Sequence, residues 1–88
     1  MADLDDLNAF VAVARAKGFR DGARASGGSA SRLSEAVRRL ETRLGVRLIN
    51  RTTRSVLLTE AGQGLLERLS PALNEVEAAL DAVNGFRD

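Results

Sequence analysis

The apolar period of this chain changes twice, and the changes divide it into parts that cannot share one kind of secondary structure. Up to Gly45 the apolar residues recur every three or four positions. Across Val46-Arg-Leu-Ile-Asn-Arg and Val56-Leu-Leu-Thr the spacing falls to about two, and from Thr59 onward it is helical again. A helix presents one face every 3.6 residues and a strand every second residue, so neither pattern serves the other. Helices, then a short pair of strands, then a further helix are therefore predicted in that order.

Each part carries its own boundary signals. Asp3 caps a first helix in which Leu4, Leu7, Phe10, Val11 and Ala14 make one buried stripe, and Asp6 suits the positive end of the helix dipole. Gly18 is the expected left-handed stop, with Phe19 folding back onto the core. A short second helix over Asp21 to Ala25 follows, weakened by Gly22. Ser26-Gly-Gly ends it, and Ser29 caps a third helix that runs to Leu44 and stops at Gly45. Leu33, Val37, Leu40 and Leu44 share its core side; Ser31, Ser34, Glu35 and Arg38 lie opposite, with Arg32, Arg39 and Arg43 along one flank. Strands are expected at Leu48 to Arg51 and Val56 to Leu58. Without an Asn-Gly pair, the tip between them should exceed a two-residue turn.

Thr59 caps the last helix. Leu66, Leu69, Leu73, Val76, Leu80 and Val83 step along it in the alternating three-and-four spacing of a heptad seam, with Leu65, Ala72, Ala79 and Phe86 as a second line beside it. Pro71 should bend this helix without breaking it, because the heptad phase runs through.

Composition narrows the function. With 88 residues the chain is one small domain of marginal stability, and with three aromatics its core must be aliphatic. There is no cysteine or histidine, which removes disulfides and the usual zinc sites. The acidic start is unlike a signal peptide and no apolar run is long enough to span a membrane, so a cytoplasmic location is expected. The acids are scattered and no Gly-x-x-x-x-Gly-Lys loop is present, which points away from an enzyme and gives no cofactor or metal site. Charge is the informative quantity. Residues 20 to 54 carry nine arginines against three acids, while residues 55 to 88 carry two arginines against six acids. A basic centre of this kind is a footprint for a polyanion.

Three helices, a two-stranded wing and a long helix make the order of a winged helix-turn-helix. The segments LDDLNAFVAVARAKGF, SASRLSEAVRRLETRLGVRL, NRTTRS and LTEAG resemble the N-terminal DNA-binding domain of LysR-type transcriptional regulators across nearly the whole chain. The resemblance implies a mainly α domain over 1–59 and, over 60–88, a long linker helix that makes a homodimer. It also implies that Ser29 to Glu41 is the recognition helix, that Arg51 to Ser55 belongs to the wing, and that a separate effector-binding domain of the parent protein is absent from this chain. The chain departs from the family pattern at Ala30, where Gln is frequent, at Arg32, where a small residue is frequent, and at Glu35, where a basic residue is frequent. Base preference therefore does not transfer from relatives.

On that reading Ala30, Ser31 and Ser34 let the helix approach the floor of the major groove of double-stranded DNA. Ala30 can meet a thymine methyl, Arg32 and Arg38 a guanine edge or a phosphate, and Glu35 a cytosine amino group. Ser29 and Ser31 stand at the positive helix end, where backbone N–H groups bind phosphate; Arg39 adds charge on the flank. Arg54 is placed for the minor groove, with Arg51, Thr52 and Thr53 on phosphates. Arg47 reads as an ordinary surface charge. Leu65, Leu66, Leu69, Leu73, Val76, Leu80 and Val83 are the expected dimer seam. The competing reading is a helical coiled-coil interaction module, with arginines serving only solubility.

Overall fold

The computed structural model describes residues 3–51 and 56–87. Among these, α1 (Leu4–Ala16), α2 (Phe19–Ser26), α3 (Ala30–Leu44), β1 (Ile49–Arg51), β2 (Val56–Leu58) and α4 (Glu60–Asn84) follow in the predicted order. The fold is a winged helix-turn-helix continued by a long helix. Phe10 and Val13 of α1, Val37 and Leu40 of α3, and Leu48 and Ile49 at the start of the wing are the largest fully buried side chains. Partly buried Leu65, Leu66, Leu69 and Leu73 of α4 pack onto the same core.

The helix ends follow local chemistry. The Asp3 carboxylate accepts from the Asp5 N–H at 3.4 Å, and the Ser29 hydroxyl accepts from the Arg32 N–H at 3.2 Å. The stop of α1 differs from expectation. Lys17, at φ 60°, takes the left-handed position, while Gly18 is extended at φ 178° and leads at once into α2. The turn is thereby shortened, and α2 begins at Phe19, two residues earlier than its charged centre suggests. Leu4 and Leu44 also depart from expectation. Each is 49% exposed, standing in a terminal turn at the margin of the core.

Gly22 does not shorten α2 as its propensity implies. A Cβ there would stand 3.2 Å from the Val13 Cα, so glycine lets the α2 backbone lie directly against α1. That close packing offsets a propensity penalty of about 1 kcal/mol. The glycine at 62 is more tightly enclosed, since a Cβ would fall 2.0 Å from the Leu48 carbonyl oxygen. Thr59 secures the same junction: its hydroxyl donates to the Arg47 carbonyl at 2.7 Å while accepting from the Gly62 N–H at 3.0 Å.

The strands pair antiparallel, with Ile49 opposite Leu58, Asn50 opposite Leu57 and Arg51 opposite Val56. Helix α4 continues through Pro71 as one element. The Arg15 guanidinium donates to the Ser70 hydroxyl beside the proline, tying α1 to α4 there. Beyond Leu73 the helix leaves the core, and the molecule measures 49 × 25 × 18 Å. Val76 is 43% exposed, Leu80 and Val83 are each 63% exposed, and Phe86 just past the helix is 88% exposed.

Candidate nucleic-acid interface

The basic centre of the sequence becomes two different populations of arginine once the helices are packed. On α3, Leu33, Ala36, Val37 and Leu40 are buried, which turns Ser31, Arg32, Glu35 and Arg38 outward. Their exposure follows from helical periodicity and matches the sequence reading. Ala30 and Ser34 are half-buried, and Ala30 packs against the core. Its methyl is therefore shared with the protein, which limits the thymine contact expected of it. The Ser29 hydroxyl is engaged in capping.

Arg39, placed on the flank with Arg32 and Arg43 by periodicity, reaches back to α1. Its Nη2 donates to the Asp6 Oδ1 at 2.9 Å and its Nε to Oδ2 at 3.4 Å. The Asp6 side chain is 4% exposed and that of Arg39 59%. Asp6 was expected only as a helix-dipole partner, whereas this two-point pair also anchors α3 to α1. A carboxylate so deeply buried is tolerated because a cation meets both of its oxygens.

Arg51 is likewise turned inward. It was expected on a phosphate, but its Nη1 donates to the Glu41 Oε1 at 3.3 Å and its Nη2 to the Ser34 carbonyl at 3.4 Å. Its guanidinium lies over the Phe19 ring, 5.2 Å from the centroid. Glu41 also accepts the N–H groups of Leu48 at 2.8 Å and Ile49 at 3.1 Å through Oε2. Burial works against the charged carboxylate, but these donors and Arg51 outweigh it and hold the Glu41 carboxyl below the usual carboxylate range. Sequence reasoning named Glu41 only as the end of the recognition helix and missed its link to the wing. Its partners are made by the return of the chain at Gly45, and no local pattern marks them.

Thr52, Thr53 and Arg54 lie outside the described residues. Arg38 and Arg47 flank an open polar cleft between α3 and β1, with Thr42 and Ile49 in its walls. Of the expected dimer seam, Leu65, Leu66, Leu69 and Leu73 are spent on the domain's own core, Val76 and Leu80 are exposed along an open groove beside α1, and Val83 is exposed beyond it. Among the described residues no group of acids is arranged to hold a metal ion, and no helix is long and apolar enough to cross a membrane.

The sequence and the fold have counterparts among known proteins. Residues 4–63 fit the family described as "Bacterial regulatory helix-turn-helix protein, lysR family". The chain is 49% identical over 85 residues to the uncharacterized HTH-type transcriptional regulator YcaN of Escherichia coli, covering 97% of this chain and 28% of that protein. It is 43% identical over 86 residues to the HTH-type transcriptional regulator PgrR of the same organism, covering 98% of this chain and 29% of PgrR. The chain thus spans less than a third of these relatives. Among solved structures, oxidized Corynebacterium glutamicum OxyR superposes with a TM-score of 0.91 at 39% identity, over 97% of this chain and 26% of that one. A BenM_DBD/catB site 1 DNA complex superposes with a TM-score of 0.87 at 27% identity, over 93% of this chain and 92% of that one.

Proposed function

From the premise that the chain belongs to the lysR family of bacterial regulatory helix-turn-helix proteins, we propose that it binds double-stranded DNA sequence-specifically, as the reading head of a larger transcriptional regulator. The recognition helix α3 enters the major groove with Ser31, Arg32, Glu35 and Arg38, and the wing with Arg54 lies at the minor groove. The observation that carries this reading is the outward face of α3, polar and arginine-bearing while its other face is sealed into the core. The likeness to a chain solved in complex with DNA supports DNA as the partner. The division we adopt is 1–59 for the reader and 60–88 for the linker. No catalytic step is assigned, and the regulator works in the cytoplasm.

The protein acts as a homodimer joined through the outer half of α4. Val76, Leu80, Val83 and Phe86 there form an exposed apolar stretch that a domain of this size cannot cover itself. Two copies on a two-fold axis read an inverted repeat, with half-sites about one helical turn or a multiple apart. A small-molecule sensing domain of the parent regulator would sit beyond this chain.

The experiment is selection of duplexes from a random pool, followed by anisotropy titration of the recovered sequence across salt concentrations. If a dimer meets about eight phosphates, affinity should fall roughly 10³- to 10⁵-fold between 50 and 200 mM salt. Failure to bind any duplex at low salt would leave the interaction-module reading in its place.

A further inference from the structure

Resting on that function, we propose that Glu41 and Arg51 form a positioning device that sets the angle of the wing against the recognition helix, so that both meet one duplex. The wing needs such a device. Its strands are three residues each, and a two-stranded ribbon of that length is marginal by itself. On the β1 side, Glu41 of α3 takes both backbone N–H groups that lead into the strand, at Leu48 and Ile49, and then Arg51 at its far end. Arg51 in turn grips the Ser34 carbonyl of α3 and stacks on Phe19, the first residue of α2. The last β1 residue before the wing tip is thereby fixed to both helices of the helix-turn-helix. Its guanidinium side chain is 26% exposed, and its hydrogen bonds point into the protein. Arg51 therefore acts on DNA through the strand it holds.

A difference in sign separates positioning from plain electrostatics. Glu41→Gln removes a negative charge near the phosphate backbone, which on charge alone strengthens binding to any duplex. It also gives the Leu48 and Ile49 N–H groups a poorer acceptor and releases Arg51, which on the positioning role weakens binding to the preferred duplex only. The test uses anisotropy titrations of wild type, Glu41→Gln, Arg51→Met and the double variant on the pool-selected duplex and on a scrambled duplex of equal length. Circular dichroism melts confirm that each variant is folded at the titration temperature. Each single variant is expected to lose roughly tenfold affinity for the selected duplex and little for the scrambled one, and the double variant about as much as the worse single, since the two residues act as a unit. The proposal is overturned if Glu41→Gln binds the selected duplex as tightly as wild type, if Arg51→Met weakens both duplexes equally, or if the two losses multiply. Should Glu41→Gln fail to fold, Arg51→Lys decides: it keeps the charge but loses the fork, so the same selective loss supports the role and unchanged binding sinks it. If wild type shows no preferred duplex, the proposed function falls with it.

Discussion

Gly27 and Gly28 look interchangeable in the sequence, yet only Gly27 is left-handed, at φ 76°; around Gly28 a Cβ would meet nothing nearer than the Ser26 hydroxyl at 3.7 Å. Gly27→Val should therefore cost about 1–3 kcal/mol of backbone strain and weaken every DNA site alike, whereas Gly28→Val should melt close to wild type. Parallel thermal melts and titrations separate them. At Gly62 the Leu48 carbonyl blocks any side chain, so Gly62→Ala should cost about 1–3 kcal/mol of stability on the scale of overpacked cores, read as a lower urea midpoint. Charged residues differ just as sharply. Arg39→Ala strands the buried Asp6 carboxylate and should destabilise the fold more than Arg32→Ala, which should instead alter which sequence a random pool yields. That distinction was invisible in the chain, where both arginines lie on the same flank of one helix.

At the scale of elements, α3 is divided three ways around its circumference: core on one side, the exposed face proposed for DNA on the other, and Glu41 toward the wing. The Glu41 link predicts a pH response. Because its folded carboxyl titrates below the unfolded value of about 4.3, its stabilisation is complete above that pH and lost as the pH falls through the folded value. The difference in urea midpoint between wild type and Glu41→Gln, open at neutral pH, should close as the pH falls through the lowered titration range of the folded Glu41 carboxyl. A gap that persisted in acid would mean that the side chain acts by size and not by charge. The order of elements and most of their ends were legible because caps, stops and periodicity are local. The α1 stop was not, since the choice between Lys17 and Gly18 depends on how closely α2 must follow.

For the whole molecule, the decisive feature is the division of α4. Its first half completes the core through Leu65, Leu66, Leu69 and Leu73, and its second half projects with its apolar residues uncovered. Leu80→Lys together with Val83→Lys should therefore leave the melting temperature of the reader nearly unchanged while converting a dimeric mass in light scattering to a monomeric one. Leu69→Lys should unfold the domain. If the dimer joins two readers, the double-lysine variant should also bind DNA with about half the wild-type dependence on log salt, because half the phosphates are contacted.

What the sequence determined by itself was the succession of helices, wing and long helix, the core face of each, and the concentration of arginine at the centre. All of these follow from spacing and from residues next to one another. Only the tertiary structure decided which charges serve the fold. Asp6 meets Arg39 across 33 positions, and Arg51 meets Glu41 across 10 positions and a reversal of the chain. The same holds for the α4 seam, whose heptads are continuous in sequence but end as core where α1 and the wing are there to cover them. Periodicity states that a face is apolar; what covers that face depends on how long the neighbouring elements are and where they stop.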